Sequence, residues 1–247
     1  MEKQPSYYRL TYIFIITFLL ISFAANTLER KTENLQSIEL ETFEDNSKNW
    51  TLIPRTTFGF DEENKSMQEL QIINGQWPKA FFGEEGKFLD KDYKNCLGVK
   101  LFFRKQGYNT VDIIPEEPIA FTGRIKMIDL WIWGSNYNYE LDCILEDFRG
   151  IQHRLNFGRI DFVGWKNLGV LIPNYIPQSV EYIPKLKRLK LIKLVLWSHP
   201  AEKARVPIYF YLDHIKYLTD VFEEKFDGHP LAEEEMINKL WKKDSGK

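Results

Sequence analysis

The sequence is poor in the side chains that most catalytic and metal sites require. It holds 2 Cys and 4 His among 247 residues. No two of the histidines (His153, His199, His214, His229) lie at ligand spacing with a Cys, Asp or Glu, which argues against a zinc site. There is no phosphate-binding loop, no dinucleotide fingerprint and no G-x-S-x-G elbow. These absences favour a protein that is not an enzyme, with no cofactor and no metal site.

An excess of charge is also missing, because the formal net charge is −2. Without a basic field we predict no nucleic-acid partner. Long apolar runs are scarce after Leu10–Phe23, which follows Lys3 and Arg9 and precedes a small-residue cut site before Ala25. That pattern predicts a secretory signal peptide over residues 1–25, with an uncleaved anchor as the alternative. We therefore expect export and no stable membrane span after cleavage.

The two cysteines, Cys96 and Cys143, both lie in the exported part, where a disulfide is chemically permitted. Cys143 falls on the apolar face of its predicted strand. Cys96 directly precedes the predicted strand that begins at Leu97. It shares parity with Gly98 and Lys100, which lie on the less apolar face of that strand. The pattern favours two separate thiols with Cys143 in the core, and a bridge is the alternative.

What the sequence has in abundance is aromatic residues, at 15%, and alternating segments. The stretch Phe121–Ile176 reads as four strands separated by glycines. Its centre, Tyr137–Asp147, alternates with period two, which is typical of a half-buried strand. The residues on its predicted apolar face are Tyr137, Tyr139, Leu141, Cys143 and Leu145.

Nine or so such strands along the chain predict an all-β fold, an antiparallel β-sandwich of the jelly-roll (galactose-binding-like) kind. The segment Arg124–Trp133 is apolar on both faces and is predicted to be a central strand covered on both sides. Residues 74–95 are rich in turn formers and are predicted to be loop. The predicted organisation is a signal peptide over 1–25, an extended arm over 26–36, a sandwich domain over 37–226 and a tail over 227–247.

The tail predicts a short C-terminal amphipathic helix in LAEEEMINKLWKK, with an apolar stripe of Met236, Ile237, Leu240 and Trp241. A helix of about four turns is not stable alone in water, so it needs a surface to dock on. That surface is either its own sandwich or a neighbouring molecule.

Paired carboxylates are the remaining catalytic possibility, because a glycosidase needs two at suitable separation. Glu140 and Asp142 are two apart on one strand face, and Glu146 and Asp147 end a hairpin. A solvated strand face and a hairpin end are the favoured interpretation.

Four aromatic residues, Trp131, Trp133, Tyr209 and Tyr211, allow three interpretations: core, protein interface or sugar-stacking platform. A local basic run could steer docking onto an acidic partner, although a solvated edge is the more ordinary interpretation. Its members are Lys185, Lys187, Arg188, Lys190 and Lys193.

Several segments together resemble the flagellar filament outer layer protein (FlaA, sheath protein) family of spirochaetal periplasmic flagella. The matching features are the turn at Trp133, Gly134, Asn136 and Tyr137, the turn at Glu146, Asp147 and Gly150, the segment Phe162–Trp165 with Asn167 and Leu168, and the segment Ile208–Glu223. The resemblance covers roughly Phe121–Asp227 well and residues 37–110 loosely.

The resemblance implies a structural subunit that coats a flagellin core in the periplasm and influences filament stiffness, curvature and motility. Its implied partners are flagellin core subunits, other sheath proteins and neighbouring copies of itself. A periplasmic carbohydrate-binding jelly-roll module is the alternative function. The residues we predict at a protein interface are Trp131, Trp133, Tyr209, Tyr211, Lys187, Arg188, Lys190, Met236, Leu240 and Trp241.

Overall fold

The computed structural model describes residues 34–55, 68–103, 105–180, 186–202, 206–221, 228, 231 and 233–241. The predicted signal peptide, nearly all of the predicted arm, and the basic residue Lys185 lie outside these ranges. The elements below all belong to one structural unit, Leu35–Lys247.

The described residues form fourteen strands and two short helices. In chain order these are β1 (Leu35–Glu41), β2 (Thr51–Arg55), β3 (Glu69–Asn74), α1 (Lys79–Phe82), β4 (Lys87–Phe88), β5 (Lys91–Asp92), β6 (Asn95–Leu101), β7 (Thr110–Ile114), β8 (Ile119–Ala120), β9 (Arg124–Ser135), β10 (Tyr139–Glu146), β11 (Gln152–Arg159), β12 (Val163–Leu171), β13 (Lys190–Ser198), β14 (Ile208–Asp220) and α2 (Glu234–Trp241).

Two six-stranded sheets with antiparallel pairing form the sandwich. Sheet A has the order β12-β9-β14-β6-β3, with β1 also paired to β14. Sheet B has the order β11-β10-β13-β7-β2, with β8 also paired to β13. The predicted antiparallel β-sandwich with a short C-terminal helix is confirmed.

The core lies between the sheets and follows the period-two pattern of the sequence. In β10 the side chains of Tyr139, Leu141, Cys143 and Leu145 are buried, as the alternation predicts. In the facing sheet, β9 and β14 contribute a second buried layer that joins the same core. Its members are Ile125, Ile128, Leu130, Ile132, Ile208, Phe210, Leu212 and Ile215.

The segment between β3 and β6 was predicted to be loop, and that prediction is wrong. It contains α1 and the β4–β5 hairpin. Phe82 and Tyr93 are buried and stack with ring centroids 4.2 Å apart. Gly86 has a φ of 68°, in the left-handed region that favours glycine. A Cβ at this position would lie 2.2 Å from the carbonyl oxygen of Tyr93. We call residues 74–95 the aromatic cap, because its aromatic rings pack against one another and against Trp131 of sheet A.

Two predictions about strand faces need correction. The outer face of β9 was expected to be covered, but Trp131 and Trp133 are only half-buried. Asp142 was expected on a solvated face, but it is fully buried because Arg154 and Asn156 lie over it and bond to its carboxylate.

Both cysteines are free and buried. The favoured prediction of two separate thiols is confirmed, but Cys96 is not on an open face as its parity suggested. Burial raises the pKa of each thiol to about 12, with nearby acidic groups, Asp213 and Glu44 for Cys96 and Asp142 for Cys143, adding to the rise. Neither side chain is therefore poised as a nucleophile.

The predicted C-terminal helix is present, and its described part is Glu234–Trp241. Met236 and Ile237 are half-buried, whereas Leu240 and Trp241 are exposed, the latter by 81%. Within the described ranges, no helix has both the length and the apolar character needed to cross a membrane.

Candidate functional site

The outer face of sheet A gathers the four aromatic residues that the sequence singled out. Trp133 on β9 is the cross-strand partner of Tyr211 on β14 and of Trp165 on β12. The Trp133 and Tyr211 ring centroids lie 5.3 Å apart at 74°, an edge-to-face contact. Trp131 lies on the same face, and Tyr209 is 43% exposed. We call Trp131, Trp133, Trp165, Tyr209 and Tyr211 the aromatic face.

The aromatic cap covers one side of this face. Phe81 lies 5.8 Å from Trp131 between ring centroids, and the Lys216 ammonium lies 4.5 Å from the Phe81 ring. The ring contact of Trp133 is with Tyr211 rather than with Phe81 of the cap. The aromatic face is therefore part core and part open surface, a mixture that the sequence left undecided.

Beneath the cap lie Asp213 and His214, which sequence reasoning did not select. Burial, with a smaller contribution from Glu44, raises the pKa of Asp213 to about 9, and burial lowers the pKa of His214 to about 4. Both side chains are consequently neutral near pH 7. His214 has φ 49° at a bulge of β14 and packs edge-on against Phe82, 4.9 Å away.

This buried pair has no features of a metal centre. Among the described residues, no three His, Cys, Asp or Glu side chains are grouped so that they could hold a metal ion. Neither carboxylate oxygen of Asp213 has a full hydrogen bond among the described residues, although the backbone N–H of His214 opposes part of the rise in its pKa. A buried carboxyl of this kind costs free energy in the folded state.

The outer face of sheet B carries a groove of about 620 Å³, which sequence reasoning also missed. Asp142, Val195 and Asp112 are successive cross-strand partners on β10, β13 and β7. Two strand spacings therefore separate the two carboxylates, about 10 Å. We call this the sheet B groove. Its lining residues are Arg55, Tyr108, Thr110, Asp112, Asp142, Ile144, Arg154, Lys193, Val195 and Trp197.

Each carboxylate of the groove is held by cations. Asp112 accepts hydrogen bonds from Lys193 at 2.7 Å and from Arg55 at 3.3 Å. Asp142 accepts one from Arg154 Nε at 2.7 Å, and the Arg154 guanidinium also lies 5.1 Å from the Trp197 ring. The groove is consequently a fixed pattern of donors, acceptors and rings.

Of the four carboxylates in the pairs proposed from the sequence, Glu140, Asp142 and Asp147 are engaged in hydrogen bonds within the fold. Asp142 is committed to Arg154 and Asn156, and Glu140 accepts from Asn156 at 3.2 Å. Burial alone would raise the pKa of Asp147, but hydrogen bonds from His153, Arg149 and two backbone N–H groups hold it well below its usual range. Asp147 organises the hairpin turn and is a poor general acid.

The basic run is split by the fold. Lys187 is half-buried, and Arg188 and Lys190 are exposed at the start of β13. Lys193 lies instead in the sheet B groove, bound to Asp112. The structure thus places the predicted interface residues in three separate locations: the aromatic face, the start of β13 and α2.

These features define an antiparallel β-sandwich whose candidate sites are the outer faces of its two sheets. A family model described as flagellar filament outer layer protein FlaA matches residues 79–227, which is more than half of the chain. The chain belongs to the flagellar filament outer layer protein family. The resemblance noted over Phe121–Asp227 is thereby confirmed.

Two curated relatives carry related names. A flagellar filament outer layer-like protein of Brachyspira hyodysenteriae is 25% identical over 134 residues, covering 54% of this chain and 61% of that protein. A flagellar filament outer layer protein of Borreliella burgdorferi is 26% identical over 106 residues, covering 36% of this chain and 31% of that protein. The chain thus matches less than two thirds of the length of either relative.

Two of the solved structures with a similar chain path are carbohydrate-binding modules. A family 11 module from Clostridium thermocellum, in complex with a mixed-linked tetrasaccharide, is 12% identical with a TM-score of 0.37, covering 76% of this chain and 98% of that chain. The solution structure of CtCBM11 is 13% identical with a TM-score of 0.40, covering 79% and 100%. Likenesses of this strength carry no inference about what this chain binds.

Proposed function

We propose that the protein is a structural subunit of the outer layer of a flagellar filament. In this proposal residues 1–25 direct export, and the sandwich over residues 37–226 coats a flagellin core in the periplasm. The observation that carries the proposal is the family match over residues 79–227, a range that includes most of the aromatic cap and most of both sheets.

The aromatic face is the proposed contact with the filament. Aromatic residues are enriched at protein interfaces because each ring buries a large area with little loss of side-chain entropy. Tyr209 is well exposed. Val206, two residues before the start of β14, is also exposed. The Trp133–Tyr211 pair gives this patch a rigid base.

Contacts between neighbouring copies are proposed at the edge of sheet A and at α2. β12 ends the strand order of sheet A and exposes Val163 and Leu171. An edge strand with exposed apolar residues is prone to pair with another chain. Leu240 and Trp241 supply a second apolar surface that a neighbour would cover.

The proposal includes no catalytic step. Its proposed effects are on filament stiffness, curvature and motility, through the added layer. The proposed tail over residues 227–247 would tie neighbouring subunits together through α2.

Co-sedimentation tests the proposal. Purified protein is mixed with flagellar filaments isolated from a strain that lacks it, and the pellet is quantified against protein concentration. We expect saturable binding at a fixed ratio to flagellin. Protein that stays in the supernatant at all concentrations, while remaining folded by circular dichroism, would refute the proposal.

A further inference from the structure

We propose that the sheet B groove binds a neutral oligosaccharide. This site is on the sheet opposite the aromatic face and is independent of the proposed filament contact. The volume of about 620 Å³ is within the range of small-ligand sites. Its lining residues come from the outward positions of β2, β7, β10, β11 and β13, and from Tyr108 just before β7.

The rings of the groove offer flat apolar surfaces. Tyr108 is 59% exposed, and its ring centroid lies 6.2 Å from that of Trp197 at an interplanar angle of 34°. Arg154 occupies one side of the Trp197 ring. The C–H faces of a sugar ring are apolar and pack on such rings, so Tyr108 is the proposed stacking surface.

The polar groups of the groove suit hydroxyl groups, each of which both donates and accepts. Arg55, Arg154 and Lys193 supply donors, and Asp112 and Asp142 supply acceptors. Trp197 adds an indole N–H that is buried with no hydrogen-bond partner among the residues described. An unpaired buried donor is costly, so a small rearrangement that lets an acceptor of the ligand reach this N–H would relieve that cost.

Charge balance favours a neutral ligand over an acidic peptide. Three cations face two carboxylates in the groove, which leaves a single formal positive charge. Those cations are already paired with Asp112 and Asp142 at short distances. An anionic ligand would have to compete with Asp112 and Asp142 for these cations. A hydroxyl group can add hydrogen bonds without displacing either carboxylate.

The groove is also pre-organised. Asp112 and Asp142 are 2% and 0% exposed, and each is clamped by side chains of other strands. Side chains held by ion pairs and packing lose little entropy when a ligand binds. The buried positions of Asp112 and Asp142 distinguish the groove from a sheet surface on which both partners of each ion pair are exposed.

Affinity electrophoresis tests the inference with the full exported chain. Native gels contain, in turn, barley β-glucan, xylan, galactan or poly-L-glutamate, and calorimetry is done with chitohexaose. We expect retardation by at least one neutral polysaccharide, or measurable binding of chitohexaose. Tyr108→Ala should weaken that binding about tenfold, the loss of one central aromatic contact. Trp197→Phe keeps a ring, removes the N–H and should also weaken it.

Tyr175→Ala is the matched control, because Tyr175 is 71% exposed and is not among the lining residues of the groove. It should bind as the natural chain does. Absence of binding to every neutral probe by folded protein would overturn the inference, and so would retardation by poly-L-glutamate alone. Tyr108→Ala should still co-sediment with filaments, so failure of this inference is distinct from failure of the proposed function.

Discussion

Trp133 and Tyr211 are direct cross-strand partners on the outer face of sheet A, with ring centroids 5.3 Å apart and planes at 74°. Their edge-to-face contact packs a side chain of β9 against one of β14. The exposed Tyr209 lies two residues before Tyr211, on the same face of β14. Under the proposed function, this ring-rich patch is the contact with the filament.

Tyr209→Ala should weaken filament binding without unfolding the protein. Tyr209 is 43% exposed, so its loss should change the free energy of unfolding by less than about 1 kcal/mol. Removal of an interface tyrosine should reduce filament affinity about tenfold, measured by co-sedimentation. Tyr175→Ala is the control. Equal affinities of the two variants would exclude the aromatic face as the contact.

Gly86→Ala should destabilise the aromatic cap. A Cβ at Gly86 would lie 2.2 Å from the Tyr93 carbonyl oxygen, and φ is 68°. We expect a loss of about 2–4 kcal/mol in urea unfolding, because backbone strain and a backbone clash act together. Gly75→Ala has a similar φ of 78° but meets nothing within 4 Å, so it should cost only about 1 kcal/mol. Equal costs would mean that the clash at Gly86 relaxes.

Stability should fall as pH rises from about 6.5 towards 9. The folded pKa of Asp213 is about 9 against an ordinary 3.8, so the folded state holds one proton more than the unfolded state between those values. Its contribution to the free energy of unfolding therefore decreases by about 1.4 kcal/mol per pH unit over that range. His214 acts oppositely between pH 4 and 6.5, because its folded pKa of about 4 leaves the unfolded state with the extra proton.

The two effects offset each other below pH 6.5, and only that of Asp213 acts above it. Asp213→Asn should therefore remove the decline above pH 6.5 and leave a rise in stability between pH 4 and 6.5. Urea unfolding across pH 4–9 measures both slopes. A natural chain whose stability is flat from pH 6.5 to 9 would contradict the burial-raised pKa of Asp213.

The two thiols should be inert in the native protein and reactive after unfolding. Both are buried, with pKa values of about 12, so little thiolate forms at pH 8. We expect no labelling by iodoacetamide in buffer and two labels per chain in urea, counted by mass spectrometry. A single intramolecular disulfide, seen as no labelling in urea without reductant, would disprove the separate thiols.

The strands of the core were predictable because burial on one face imposes period two on the sequence. β10 and β14 show this most clearly, with Tyr139, Leu141, Phe210 and Leu212 on inward faces. The aromatic cap was not predictable, because one helical turn and two-residue strands are too short to carry a period. That segment is defined by ring contacts among Phe81, Phe82, Phe88 and Tyr93 and by bonds from Lys91 and Tyr93 to Glu39, all of which depend on the fold.

The sheet B groove was hidden for a different reason. Its residues lie far apart in the chain, and antiparallel register alone brings Asp112 and Asp142 onto one row. One signal was available: Asp112 interrupts the apolar run Val111–Ile114, and a charge inside such a run usually has a buried partner. The positions of Arg55 and Lys193, which supply that partner, required the fold.

The proposed function requires the protein to be part of the filament surface. Electron cryomicroscopy of filaments from a strain with the gene deleted, beside filaments from the parent, measures this most directly. We predict thinner filaments with altered curvature, restored by the natural chain and only partly by Tyr209→Ala. Filaments of unchanged diameter and curvature in the deletion strain would contradict the account.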